Sequence, residues 1–200
     1  MPARQPGFAR AQWGYKPGAR DVRRRTITKL DLPGRFWRRV DQRTYRTGYA
    51  HEDAAWAVNA RSVASVSVWS AFVNRRSRMY LQVQLVPLAS VDDAPEALEA
   101  AIAGELNNFR NRAATLSTDE VHLGQDAVVG ASNLTATERE IKAGGETSQV
   151  YSLYFNVGRW VVIMVATDIF GGWTWNGVVA CATAQVARLQ PVDNQWRGKA

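Results

Sequence analysis

The chain has 200 residues and a formal net charge of +7, with 46% hydrophobic and 22% charged residues, a composition that excludes wholesale disorder and predicts one globular domain. Its single cysteine excludes an intrachain disulfide and a zinc or iron–sulfur centre ligated by several cysteines of one chain. The longest apolar run, Trp160 to Ala166, is far below the ~20 residues that span a bilayer, and no apolar segment follows the basic N-terminus, so we expect a cytoplasmic protein without a secretory signal.

Charge is distributed very unevenly along the sequence. The first 48 residues contain 13 Lys or Arg and 3 Asp, a net of 13 − 3 = +10, whereas the remainder holds 12 basic and 15 acidic residues, a net of −3. Aromatic residues such as Phe8, Trp13 and Tyr15 lie among these basic residues. This pattern predicts a basic arm that contacts a partner, joined to a slightly acidic body.

In chain order, residues 1–25 combine prolines and glycines without a periodic apolar pattern and are predicted to be an extended basic arm. Residues 26–32 alternate in polarity and end at Pro33-Gly34, which predicts a short strand at the start of the domain. Residues 53–60 fit either a helical turn or a loop. Residues 62–73 and 79–88 predict a hairpin of two strands.

After this hairpin the apolar residues follow a helical period. Asp92 or Asp93 is a candidate N-cap, and the spacing from Leu98 to Ala113 predicts an amphipathic helix of about five turns. Residues 121–124 and 127–134 are interpreted as short strands, with a turn at Gly144-Gly145.

The last third of the sequence predicts a second hairpin and a terminal helix. Its two strands are residues 150–155 and 160–166, and because the second is apolar on both faces it is expected at the centre of its sheet. Asn176 is the predicted N-cap of the helix that Pro191 ends. The fold class predicted is α+β, a mainly antiparallel sheet flanked by helices, with residues 1–25 as arm, 26–190 as domain and 191–200 as tail.

Several segments between residues 30 and 189 form a pattern that is shared with a known family. They are Leu32-Pro33-Gly34 followed by Trp37, Asp92-Asp93-Ala94-Pro95-Glu96, Val121-His122-Leu123-Gly124, and Tyr154-Phe155 followed by Arg159-Trp160-Val161-Val162 and Ala166-Thr167-Asp168. Through these segments the chain resembles the PsbP-like α/β/α sandwich family, which includes a photosystem extrinsic subunit and actinobacterial lipoproteins. The resemblance implies a largely non-enzymatic protein that binds or stabilises partners. The chain departs from the family in its basic arm, and we expect it to carry no signal or lipobox.

Few residues suggest catalysis or metal binding. The candidate clusters are His51-Glu52-Asp53 and Asp119-Glu120 with His122, but neither has the spacing of a known metal or catalytic motif. Both are interpreted as solvated polar residues. The sequence therefore predicts no catalytic residue, no metal site, no cofactor and no enzymatic activity.

The predicted partner-binding residues are basic or aromatic. They are Arg23, Arg24, Arg25, Lys29, Arg35, Trp37, Arg38, Arg39, Arg43, Arg46, Trp173 and Trp175. Arginine dominates over lysine, which favours bidentate pairing with carboxylates or phosphates. Trp173 and Trp175 suit either anchors for a partner or a cap on the core.

The leading hypothesis is a non-enzymatic binding or assembly protein whose arm docks on a larger protein or an anionic surface. Nucleic-acid binding by the same arm and a ligand-binding or sensor module of PsbP-like type are the alternatives. A solvated basic tail without a partner is the plainest interpretation of the charge. The sequence does not indicate the oligomeric state.

Overall fold

A single antiparallel sheet of seven strands dominates the part of the chain that the structure, a computed structural model, describes: residues 17–45, 66–112, 114–124, 126–143, 146–168 and 172–190. The strands are β1 Trp37–Tyr45, β2 Ser67–Asn74, β3 Met79–Pro87, β4 Ala114–Val121, β5 Ser132–Ala143, β6 Glu146–Val157 and β7 Trp160–Asp168. Their spatial order is β1-β2-β3-β7-β6-β5-β4, so among the described strands β1 and β4 lie at the edges and β7 at the centre.

Within the described ranges, three helices accompany the sheet: α1 Ala19–Arg25, α2 Ala94–Arg112 and α3 Trp175–Leu189. Strand β7 explains their placement, because Val162, Met164 and Ala166 face one buried cluster while the alternate residues face another. The first cluster includes residues of α1 and α3, and the second includes residues of α2. The apolar character of β7 on both faces thus requires that both be covered.

The prediction of an α+β sandwich of helices over a sheet is wrong, because the sheet dominates the fold. Its seven strands run for 8 to 12 residues each, whereas the helices have 7, 19 and 15 residues. The sequence interpretation underestimated the sheet because the edge strand β4 is polar and shows no clean alternation of apolar residues.

Local predictions in the N-terminal region also need correction. Residues 19–25, assigned to an extended arm, form α1, and residues 26–32, assigned to a strand, form bends and turns. The predicted boundary after residue 25 therefore separates α1 from a segment that packs together with it. Residues 53–60, for which the sequence fits either a helical turn or a loop, lie outside the described residues.

Of the predictions for later elements, some are confirmed and others are wrong. The hairpins β2–β3 and β6–β7 and the helix α2 confirm the corresponding predictions. The strands predicted at 121–124 and 127–134 are wrong for the most part, because this stretch is mainly the connection between β4 and β5. The N-cap of α3 is Thr174 rather than Asn176, since the Thr174 hydroxyl accepts a hydrogen bond from the Gly177 N–H at 3.3 Å.

Candidate partner-binding surface

Helix α1 is amphipathic, with one residue in the core and basic residues around it. Val22 is completely buried, while Arg23 and Arg24 are exposed. Arg25 turns inward: its guanidinium carbon lies 5.4 Å from the centroid of the Trp160 ring, and Nη1 donates to the Leu189 carbonyl at 3.5 Å. Arg25 therefore contributes to packing of the body and is a poor candidate for partner contact.

The segment after α1 is fastened to α3 by buried hydrogen bonds. The Gln185 side chain accepts from the Ile27 N–H at 3.0 Å and donates to the Arg25 carbonyl at 2.8 Å. Gln185 itself is completely buried. Because a buried amide needs partners for both its donor and its acceptor, these two bonds fix residues 25–27 against the helix.

A salt bridge between Asp31 and Arg188 closes the same contact, with 2.7 Å between the carboxylate and guanidinium atoms. Burial acts to raise the pKa of Asp31, but hydrogen bonds from the Thr28 backbone and hydroxyl and from Arg188 outweigh it, so the pKa lies below the ordinary value. Asp31 therefore stays ionised, and its charge is paired with that of Arg188 rather than with an exposed arginine of the N-terminal region.

Two further basic candidates have partners in strand β1. Arg43 pairs with Asp41 at 2.8 Å, and Arg23 donates to the Thr44 hydroxyl at 2.7 and 3.0 Å. Both arginines remain exposed. The hydrogen bonds of Arg23 link α1 to the edge strand, so the charged residues of the two elements share one region of the surface.

The remaining basic candidates in the described residues project into solvent. Lys29, Arg35, Arg38 and Arg39 are exposed, and across the described residues none of them forms an ion pair with an acid. Arg46 lies outside the described residues. We call Lys29, Arg35, Arg38 and Arg39 the basic surface. In sequence, these residues extend from the loop after α1 into β1.

The start of β1 and the β2–β3 turn meet in what we call the Phe36 corner: Arg35, Phe36, Arg38, Arg75 and Arg76. The Asn74 side-chain amide donates to the Arg35 carbonyl at 2.9 Å, and the Arg75 N–H donates to the Phe36 carbonyl at 3.5 Å. The Arg76 guanidinium carbon lies 4.0 Å from the centroid of the Phe36 ring. Two segments about forty residues apart in sequence therefore form one arginine-rich corner.

Phe36 has a left-handed backbone with φ of 72°, next but one to Gly34 with φ of 80°. For a bulky residue this conformation costs on the order of 1–3 kcal/mol, and such residues cluster at functional sites. Sequence reasoning missed Phe36, Arg75 and Arg76 as site residues. The available signals were the aromatic residues interleaved with the basic charge, Phe36 among them, the Pro33-Gly34 turn and the basic hairpin connection. None of them indicates that the two segments meet.

The prediction that Trp37 and Trp173 contact a partner needs correction, because both are buried in the core. Their ring centroids are 5.6 Å apart. The indole N–H of Trp37 donates to the Pro33 carbonyl at 2.8 Å, and that of Trp173 donates to the Tyr80 carbonyl at 3.0 Å. Between the two interpretations of the aromatic loop, this arrangement favours the cap on the core.

Trp175 and the thiol of Cys181 also have structural roles. Trp175 donates to the Glu138 carboxylate at 2.9 Å and packs edge-on against Tyr151 with centroids 5.3 Å apart. Cys181 is completely buried in α3, and this burial raises the pKa of its thiol to about 12. Cys181 is therefore not presented to solvent as a reactive group, and the half-buried Trp175 is held by contacts within the body.

The two candidate catalytic clusters do not contribute to the basic surface or to the Phe36 corner as the structure describes them. His51, Glu52 and Asp53 lie outside the described residues, whereas Asp119, Glu120 and His122 are exposed at the other edge of the sheet. Within the described ranges, no group of three or more His, Cys, Asp or Glu is arranged to hold a metal ion.

The fold and this surface define a sheet-dominated protein with a basic region at one sheet edge. No family model and no curated protein matches the sequence. Among solved structures, the chain is similar to the extracellular domain of PknH from Mycobacterium tuberculosis, with a TM-score of 0.57 and 9% identity over 88% of this chain and 97% of that one. This likeness shows a shared fold. The resemblance to PsbP-like proteins stays a prediction.

Across the described helices, none is both long and apolar enough to cross a membrane.

Proposed function

We propose that this protein is a non-enzymatic binding or assembly protein whose basic surface docks on an anionic face of a larger partner. The observation that carries the proposal is the state of Lys29, Arg35, Arg38 and Arg39, which are exposed and, among the described residues, lack acidic partners. The two neighbouring acids, Asp31 and Asp41, already pair with Arg188 and Arg43.

The electrostatic reasoning is that exposed cations without acidic partners in the molecule create a positive potential that attracts an external anion. A carboxylate-rich or phosphate-rich partner pairs with this charge and gains bidentate hydrogen bonds from the guanidinium groups. Because these charges are exposed, the interaction falls off over a Debye length of ~10 Å at 0.1 M salt. Binding must therefore weaken strongly as salt increases.

The proposal is tested by titrating the protein with poly-L-glutamate and with single- and double-stranded DNA at several salt concentrations. The expected result is binding at low salt that weakens as salt rises. A double variant Arg38→Ala/Arg39→Ala should bind more weakly, while Lys142→Ala, which removes an exposed positive charge from β5, should bind like the wild type. Absence of salt-dependent binding to every polyanion at low salt would eliminate the proposal.

Nucleic-acid binding is the second candidate, and the exposed ring of Phe36 among arginines supports it because bases stack on aromatic side chains. If six cationic groups contacted phosphates of duplex DNA, the logarithm of affinity would fall against the logarithm of salt with a slope of about −5. Much tighter binding of DNA than of poly-L-glutamate at equal charge would favour this candidate over a protein partner.

A further inference from the structure

Phe36 faces solvent although its neighbour in sequence is buried. Trp37 is 7% exposed and tied to the Pro33 carbonyl, whereas Phe36 is 53% exposed under the Arg76 guanidinium. The left-handed backbone of Phe36 is a conformation that Gly or Asn adopts with much less strain. A large apolar side chain is thus held at an unfavourable position where it contributes little to the core.

Other exposed apolar side chains lie close to Phe36 in sequence. Three of the six exposed large hydrophobic residues recorded for the described part of the chain fall within residues 30–40: Leu30 at 85%, Phe36 at 53% and Val40 at 45%. Arg35, Arg38 and Arg39 are interspersed among them. Aliphatic side chains offer no stacking surface to nucleobases, whereas aromatic residues and arginine are enriched at protein interfaces.

The charge of the Phe36 corner argues against a symmetric contact between the same corners of two copies. Its five residues include four arginines, Arg35, Arg38, Arg75 and Arg76, and no acid. Two such corners placed face to face would bring like charges together and leave them without carboxylates. A partner of opposite charge satisfies the guanidinium groups and covers the ring at the same time.

We propose that the Phe36 corner binds an acidic segment of a partner protein that also carries large apolar side chains. Phe36 receives an apolar side chain of that segment, Arg35, Arg38 and Arg75 pair with its carboxylates, and Arg76 holds the ring in place. This inference rests on the proposed function and adds to it the class of partner and the residue at the centre of the contact.

The test uses fluorescein-labelled peptides of twelve residues at low salt. One peptide alternates Glu with Leu and Phe, a second alternates Glu with Ser, and an oligothymidylate of similar charge is the nucleic-acid probe. The protein variants are Phe36→Gly and Phe36→Asn, whose new residues tolerate positive φ, and the control Val129→Ala, which shortens an exposed apolar residue elsewhere. Circular dichroism and thermal melting of each variant establish that it is folded.

The expected result is that both Phe36 variants bind the Glu/Leu/Phe peptide about thirtyfold more weakly without a lower melting temperature, as for loss of an interface hot spot. Val129→Ala should bind it like the wild type, and the Glu/Ser peptide should bind more weakly and respond little to the Phe36 changes. Unchanged binding of the Glu/Leu/Phe peptide by folded Phe36 variants would overturn this inference alone.

Two other results of the peptide and oligothymidylate titrations would lead to different conclusions. Preferential binding of oligothymidylate that is lost in the Phe36 variants would assign the corner to nucleic acid and overturn the choice of a protein partner. No binding of any anionic probe to the wild type at low salt would remove the proposed function itself.

Discussion

Replacing Gln185 with Leu is expected to detach the segment after α1 from the body. Gln185 is completely buried and bonds both the Ile27 N–H, at 3.0 Å, and the Arg25 carbonyl, at 2.8 Å. Leu keeps most of the side-chain volume but removes both hydrogen bonds, so a donor and an acceptor of the backbone lose their partners. The physical effect is desolvation of these groups without compensation.

The magnitude follows from the two groups. An unsatisfied buried donor or acceptor costs roughly 1–3 kcal/mol, and the apolar Leu recovers part of this loss, which leaves a destabilisation of about 2–4 kcal/mol. A protein of this kind has a total free energy of unfolding of roughly 5–15 kcal/mol. With an m-value of ~2 kcal/mol/M, the midpoint in urea should fall by about 1–2 M.

Urea unfolding followed by tryptophan fluorescence measures the effect. Thr183→Leu is the matched control, because Thr183 lies on the same helix but is exposed, and its midpoint should stay within ~0.3 M of the wild type. A Gln185→Leu protein with a wild-type midpoint would refute the reasoning that these two hydrogen bonds hold residues 25–27 against α3.

The remaining predictions concern the same contact and the buried thiol. Deleting residues 1–25 should lower the melting temperature, because the buried Val22 and the Arg25 contact with Trp160 are lost. Deleting residues 1–16 keeps both contacts and should lower the melting temperature less. Equal melting temperatures for the two truncations would contradict this. Because its pKa is lowered on folding, Asp31 contributes stability that is present above its ordinary value of 3.8 and lost as pH falls through the lower folded value. The difference in free energy of unfolding between the wild type and Asp31→Asn should therefore shrink as the pH falls from the ordinary pKa of Asp31 through its lower folded pKa. Urea unfolding at several pH values measures this difference, and a difference that is independent of pH would count against the salt bridge. Cys181, with a pKa raised to about 12, should react with Ellman's reagent at pH 8 only after denaturation, and rapid reaction of the native protein would contradict its burial.

Local sequence patterns were sufficient to predict an element where its own residues show a clear apolar pattern. The residues of β7 are apolar on both faces, which predicted its central position, and the helical spacing from Leu98 predicted α2. The pattern failed at β4, where Ser117 to Glu120 are exposed at an edge and give no alternation that distinguishes a strand from a loop. Edge strands are weakly encoded because burial imposes little on their side chains.

By itself, the sequence determined the uneven charge, the two hairpins, the long helix and the concentration of arginine in the first quarter of the chain. Tertiary structure alone decided which arginines remain in solvent, because Arg25 meets Trp160 and Asp31 meets Arg188 across more than a hundred residues. It also brought Phe36 and Arg76 together and buried Trp37 against Trp173. The physical reason is that periodicity and turn chemistry act over a few residues, whereas contacts between distant segments arise only when the sheet and helices pack.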